Sequence, residues 1–519
     1  MFIDTRATWA YHDGTKHSWH SVRSSTHQLD WSNQPLPFKI YTSLDPLPLP
    51  RDLPDSDRPA LEAIGGVGLA PQAAGERLPD LATVARLCLY ANGVTRVIRH
   101  AAGEMAFRAA GTTGALYHVE LYLVCGELPG LAAGVYHYAA HDHTLRRLRS
   151  GDLRGVLVEA TGAEPAIAAA PLIVLTTSTF WRNAWKYEAR AYRHSFWDTG
   201  TVLANLLAVA AGARLPARVV LGFDDGLANR LVNVDGRHEA TISLVALGHT
   251  REIAPPAPPL EPLDLPTQPL SRVEIEYPAI VAMHAASSLG SGAEAAAWRG
   301  EASRPRPTRP AESHAALVEL RPFSAEQVPT ESIESVIRRR GSSRRFRREP
   351  IGFEQLSTVL EPALRPLPAD CVDATTGGPL ADLYLIVNAV DDQAPGTYVL
   401  DPRQRALEQL RAGAFRDEAG QLALGQALGA DAAVNAYYLT ELEPLLQRFG
   451  NRGYRAAQLT AAIAAGRLWL AAYAIRLGAT GLTFFDDDVT TFFSPHARGK
   501  SVLFLLAFGR GARRTGAYA

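Results

Sequence analysis

Two separated stretches of this chain are copies of one another. YRHSFWDTGTVLANLLAVAAGARLPARVVLGFDD begins at Tyr192, and YRAAQLTAAIAAGRLWLAAYAIRLGATGLTFFDDD begins at Tyr454, 262 residues later. The same shift carries Gly134 of GVYHYAAHDHTLRRLRSG onto Gly396 of GTYVLDPRQRALEQLRAG, ELYLV onto DLYLI, and Asp224-Asp225 onto Asp486-Asp487. One constant shift relating several segments is not what two Ala- and Leu-rich helices produce by chance. A repeat of tens of residues would build a solenoid, whereas a period this long duplicates a whole domain. The chain is therefore expected to fold as one unit used twice, docked on itself as an intramolecular pseudo-dimer.

The expected boundaries come from composition. Residues 1–250 hold the first copy and 330–519 the second. Between them, 251–329 reads as an extended linker, with APPAPPLEPLDLPTQPLS followed by SSLGSGAEAAAWRGEASRPRPTRPAES. A patch inside it, VEIEYPAIVAMHAAS, is expected to form a strand and a helical turn docked on a domain. In the first copy the pattern predicts a helix over DLATVARLCLYANGV, strands at VELYLVCG, GVYHYAA and PLIVLTT, a long helix from Phe196 to Arg214, then strands at ARVVLGF and ATISLVALG. The first two strands read as a hairpin. The long helix is apolar nearly all round, so it must be buried, and the contact between copies is the natural place. The fold class expected is α+β.

Bulk properties remove several functions. A net charge of −1 over 519 residues offers nothing to a nucleic acid. The three cysteines, Cys88, Cys125 and Cys371, make neither a disulfide framework nor a metal-ligand spacing, which fits a reducing compartment. The N-terminus lacks the apolar core of a signal peptide, and the apolar runs are too short to span a bilayer. A cytoplasmic protein, with no metal and no membrane partner, is the expectation.

Four motifs carry possible chemistry. In IRRRGSSRRFRREP, Arg340, Ser342 and Arg344 alternate just before an amphipathic helix, and guanidinium forks with a hydroxyl suit a phosphate monoester. In FRAAGTTGALYHVE, Arg108 precedes Thr112, Thr113, Gly114, Ala115 and Leu116, small and hydroxylated residues that let backbone N–H groups approach a flat ligand. The paired aspartates of GFDD and FFDD read as a turn or helix cap after a strand rather than as metal ligands. Finally, WRNAWKYEARAYRH sits between a core strand and the long helix and holds Lys186 and Tyr187; the shift of 262 replaces them with Arg448 and Phe449. Only the first copy keeps an amine and a phenol that can move protons.

Together these motifs resemble the nitroreductase superfamily of FMN-dependent oxidoreductases, and within it the SagB-type peptide dehydrogenase (thiazoline oxidase) branch. RGSSRRF is similar to the superfamily's Arg-x-Ser-x-Arg phosphate signature, FRAAGTTGALYHVE to the branch's Ser-Gly-Gly-Ala-Leu-Tyr-Pro-x-Glu loop, and WKYEARAYRH to the segment carrying its catalytic Lys and Tyr. Thr112-Thr113-Gly114 stands in place of Ser-Gly-Gly, and His118 in place of the proline. The resemblance implies FMN between the two partners. The second copy would supply Arg340, Ser342, Arg344 and the Phe484-Phe485 strand end. The first would supply Arg108, Thr112–Leu116, and Lys186 and Tyr187 as the catalytic pair. It implies one productive FMN per chain, a degenerate site opposite, and a monomer. Lys16, His17 and Ser18 read either as a diverged phosphate turn or as a polar arm. The expected reaction is dehydrogenation of an azoline-like or peptide-derived substrate, alongside biosynthetic partner proteins. An NAD(P)H-dependent nitro or enone reductase and a non-catalytic scaffold are the competing readings.

Overall fold

The computed structural model describes residues 4–66, 75–100, 103–303, 317–373 and 377–512. Each copy builds a seven-stranded, wholly antiparallel sheet with the same strand order. In the first the order across the sheet is Pro46–Pro48, Thr144–Ser150, Gly134–Ala139, Val119–Cys125, Leu172–Thr179, Glu239–Leu247 and Ala217–Val220. The second runs Leu317–Glu319, Ala406–Ala412, Gly396–Asp401, Asp382–Val387, Val434–Thr440, Ser501–Gly509 and Gly478–Leu482. The mixed α+β class, the duplication and the Val119–Cys125/Gly134–Ala139 hairpin agree with the sequence reading. Two of the elements not anticipated belong to the sheet of the first copy or adjoin its candidate loop. The ribbon Val94–His100/Gly103–Arg108 is one. The strand Thr144–Ser150 is the other, whose three arginines disguise its buried positions.

The long helices are Ala191–Gly212 and Arg452–Ala474. The first begins five residues earlier than predicted and so takes in Tyr192 and Arg193. Nearly all their residues are buried because the helices cross one another on small side chains. A Cβ built on Gly200 would collide with Ala462 Cβ, and one on Gly466 would lie 2.6 Å from Ala204 Cβ. No residue larger than glycine fits at either point without moving the partner helix.

The crossing is locked by two equivalent ionic clusters. Asp486, at the start of the helix Asp486–Phe492, receives Arg190 (2.9 Å) and Arg193 (2.6 Å) from the other copy. Asp225, at the start of Asp225–Leu231, receives Arg455 (2.7 Å) and Arg452. The pairing aspartates are thus 261 apart, one less than the arginines. Of the paired aspartates, Asp224 is the helix cap the sequence suggested, accepting from Leu227 N–H. Asp225 instead serves the cross-copy cluster, and Phe485 occupies the cap position of the second copy.

The same arginines reach the ends of two further helices. Arg193 and Arg190 donate to His12 O and Thr15 O at the end of Arg6–Gly14, both at 2.6 Å. Arg455 and Arg452 donate to His284 O (2.6 Å) and Ser287 O (3.1 Å) at the end of Pro278–Ala286. Asp486 then exchanges two hydrogen bonds with the backbone of His17, and Asp225 two with that of Leu289. His12 and His284 stand 272 residues apart, and so do Thr15–Ser287 and His17–Leu289. The stretch read as linker therefore contains the second copy's counterpart of the N-terminal arm, and this is a correction of its role. Its Pro278–Ala286 is a full helix, whereas VEIEY forms no strand. Part of SRPRPTRPAES lies outside the described residues.

Burial would push the Asp486 carboxyl up, but Arg190 and Arg193 overcome that and hold it at about 2. Its folded value lies below the ordinary 3.8. The stabilisation is therefore present above about pH 4 and is lost as pH falls towards 2. Unfolding followed against pH should show that decline, roughly 2 kcal/mol, and Asp486→Asn should flatten it. At neutral pH, Asp486→Ala should cost roughly 3–5 kcal/mol, because two buried guanidiniums lose their carboxylate.

Candidate active site between the two copies

The loop of the first copy is held from below. Thr113 donates both its N–H (2.9 Å) and its hydroxyl (2.8 Å) to Asp198, a buried acid on the first long helix. His118 Nε2 lies 2.8 Å from the same carboxylate, and His118 Nδ1 lies 2.8 Å from Ser178 Oγ. Above this support the backbone turns through left-handed conformations at Gly114 (φ 62°), Ala115 (55°) and Tyr117 (51°). Non-glycine residues adopt that region at a cost, and such turns present N–H groups to an anion or a flat ligand.

The second copy closes on this loop. Arg340 caps the helix Ile333–Arg339 and donates to Ala109 O through Nε (3.1 Å) and Nη2 (2.8 Å). Its guanidinium lies over the ring of Trp469, 5.3 Å from the centroid. A Cβ on Gly111 would meet Trp469 at 2.7 Å and Arg340 Nη1 at 3.2 Å. Burial raises the Tyr117 phenol, and the nearby cations, Arg340 and Arg344 among them, oppose it. Ser343 N–H bonds Ala479 O (3.0 Å), pinning the segment along the strand Gly478–Leu482 with Ser342 half-buried and Arg344 exposed. The motif follows a helix C-terminus, while the next helix starts only at Phe353. The helix N-terminal anion site expected from sequence is therefore absent, and the cations act through their own charge.

Lys186 and Tyr187 end a helix, Phe180–Tyr187, which follows directly on the strand Leu172–Thr179. The Lys186 ammonium lies 5.4 Å from the Tyr187 ring centroid. A Cβ on Gly114 would sit 2.8 Å from Tyr187 Oη, so the phenol reaches the loop. Burial, with Asp198 adding to it, raises this phenol to about 12. Its ring packs edge-on against His194 at 4.6 Å, and His194 Nδ1 meets Asn183 Oδ1 at 2.8 Å. Asn183 returns to Thr113 Oγ1 at 2.8 Å. Sequence reasoning missed Asp198, Asn183 and His194. A usable signal existed, since Asp198 is the sole acid in a helix buried along its whole length.

Arg108 lies beneath the loop, its guanidinium 5.4 Å from the ring centroid of Tyr117. It is buried, donates to Val119 O (3.1 Å) and Pro37 O (2.6 Å), and shares Glu120 with Arg182. This is a buried ion cluster, in which Arg108 Nε has no hydrogen-bond partner among the described residues. Phe484 is fully buried against Trp197 (5.7 Å) beneath Arg190 (5.4 Å), and Phe485 packs against Trp19 (6.2 Å). Lys16 lies between Asp13 and Asp487, both at 2.9 Å, and Ser18 caps a helix. The N-terminal turn is thus a docked polar arm with no free anion site. Two buried hydroxyls, Thr112 Oγ1 on the loop and Thr483 Oγ1 at the strand end, have no hydrogen-bond partner among the described residues.

The pseudo-symmetric place opposite is filled by protein. Trp298, on the helix Gly292–Gly300, bonds Phe449 O at 3.0 Å and packs on the Phe449 ring at 5.4 Å. Arg448 donates to Glu301 O (2.9 Å) and Arg299 to Gly222 O (3.0 Å). Asp370, at the position matching Arg108, takes both Leu221 and Gly222 N–H at 2.8 Å. Residues 374–376 of the matching loop lie outside the described residues.

The Nitroreductase family model matches residues 92–249 and 337–510, more than half of the chain and once in each copy. The Trifolitoxin-processing protein of Rhizobium leguminosarum bv. trifolii is 29% identical over 171 residues, 32% of this chain and 46% of that protein. The Microcin B17-processing protein of Escherichia coli is 26% identical over 144 residues, 27% of this chain and 53% of that protein. The chain thus spans about half the length of these two curated relatives. Over its whole length it resembles a crystal structure from Anabaena variabilis assigned as a nitroreductase, with TM-score 0.76 and 25% identity, covering 98% of this chain and 99% of that one.

Asp198→Ala would leave the Thr113 donors and His118 without their shared acceptor. It should lower stability by about 1–3 kcal/mol per buried donor left unpaired. It should also speed amide exchange at 113–116, read by hydrogen-exchange mass spectrometry.

Proposed function

This chain belongs to the nitroreductase family, and from that premise we propose that it is an FMN-dependent oxidoreductase of the SagB type with one working site per chain. One observation carries the reading: Arg340 of the second copy bonds Ala109 O and lies beside Gly111, just before the Thr112–Leu116 loop of the first copy, which Tyr187 reaches at Gly114. The residues fit a flavin. Arg340, Ser342 and Arg344 would hold its phosphate, and the left-handed loop would face its ring. Thr112 and Thr483 bring two buried hydroxyls that lack protein partners among the described residues. When bound, FMN supplies the two-electron acceptor.

The chain's own groups would then handle the proton. At about 12 the Tyr187 phenol stays protonated at neutral pH, so it serves as a hydrogen-bond donor and orients the substrate. Lys186 forms no ion pair among the described residues, and in its free-amine form it is the group that would take up the proton as the hydride leaves, becoming the ammonium. The names of the two curated relatives, a trifolitoxin-processing and a microcin B17-processing protein, support a role in processing a biosynthetic product, and the SagB-type resemblance narrows that substrate to a peptide-derived one such as an azoline.

A visible spectrum with flavin quantified per chain tests the reading. One FMN per chain is expected, because Trp298 packs on Phe449, the counterpart of Tyr187, in the opposite place. Two tightly bound FMN would refute the single site, and no flavin would refute the enzyme. Rapid bleaching by NAD(P)H would favour a nitro or enone reductase instead. Lys186→Ala and Tyr187→Phe should each keep the flavin and lose roughly 10²-fold or more in turnover. The pH–rate profile should show no loss from Tyr187 ionisation below about pH 11.

A further inference from the structure

The chain outside the two sheets sends one covering segment to each of the two pseudo-equivalent places. Both segments start from the same anchor, the Asp–Arg cluster that holds His17 in one copy and Leu289 in the other. After Leu289 comes the helix Gly292–Gly300, which closes its place with Trp298, only 7% exposed. After His17 comes the helix Trp19–Ser24. The chain then reaches His27, whose Nε2 lies 3.1 Å from Trp185 O. Asp486, at the first tether, adjoins Phe484-Phe485; Trp185, at the second, adjoins Lys186-Tyr187. Residues 18–26 are all exposed and run between these two tethers, one on each copy.

One side chain on this segment differs from its surroundings. Trp19 is 59% exposed, with its ring edge on Phe485 at 6.2 Å. Arg23 lies over the indole at 4.0 Å and forms no ion pair among the described residues. An indole this exposed retains a large rigid apolar face available for contact, and the guanidinium beside it retains its charge. The two places therefore differ in state: Trp298 is spent on packing, Trp19 is not.

We infer that Trp19 is a substrate-contacting residue. Its indole forms the outer wall of the working site and selects a flat, unsaturated ring, and Arg23 selects an anionic substituent on that ring. This rests on the flavin site proposed above.

The test uses the full chain with 4-nitrobenzoate as probe, read by two signals: perturbation of the bound flavin's visible absorbance, and protection of the Arg23–Ser24 bond from trypsin. Trp19→Ala should weaken binding about tenfold with flavin content unchanged, and Trp19→Phe should restore it to within about threefold. Nitrobenzene should bind more weakly than 4-nitrobenzoate, and Arg23→Gln should erase that difference. Equal affinity in Trp19→Ala and the unchanged chain, with flavin present, would overturn the inference. A preparation without flavin would instead overturn the proposed function. Protection at Arg23 would still report whether the arm meets the probe, and its absence there would overturn the inference as well.

Discussion

Two buried aspartates hold this molecule in one piece. Each reaches the start of the other copy's long helix and is met there by two arginines that are themselves buried. Isolated charges in such surroundings are prohibitively expensive, and they become tolerable only when the full set of partners is assembled. Arg190 and Arg193 must find Asp486, and they must also find the carbonyls of His12 and Thr15. Docking of the two copies, seating of the arm and shaping of the strand end at Phe484 are therefore one event. The candidate site lies at this joint: Arg190 covers both Trp197 and Phe484, and Trp197 leads through His194 to Tyr187.

The same scaffold is used twice with different results. Equivalent arginines anchor equivalent helices, but the chain beyond each anchor diverges. On one side Trp298, Arg299 and Asp370 bind backbone and ring surfaces around Gly222 and Phe449. On the other, the loop at 112–117 is held by Asp198 through Thr113. The difference comes from a handful of side chains at matching positions, such as Tyr187 against Phe449 and Arg108 against Asp370. The backbones that carry them keep the same sheet order.

Much of the fold was legible because it is written in periodicity. A helix apolar on every face has nowhere to go but a protein interior, and a duplicated chain supplies that interior from its other half. The hairpin, the central strands and the positions of the three site motifs come from similar local signals. Thr144–Ser150 was missed because arginines on a half-buried strand imitate a loop. The helix Phe180–Tyr187 was missed because its tryptophans, which bond Asp30 O and Ser271 Oγ, look like a polar-aromatic insert when those partners are far away in sequence.

Residue type and spacing were enough to establish the duplication, the α+β class, the burial of the long helices, and which copy retains the amine and phenol. The direction in which each charge points emerged from the packed molecule alone. Arg108 turns into a buried ion cluster beneath the loop, while Arg340 crosses to the other copy's loop. Asp198 holds that loop, and part of the apparent linker proves to be a second arm. Such outcomes depend on contacts between groups tens to hundreds of residues apart, where burial makes one arrangement of opposite charges far cheaper than any other.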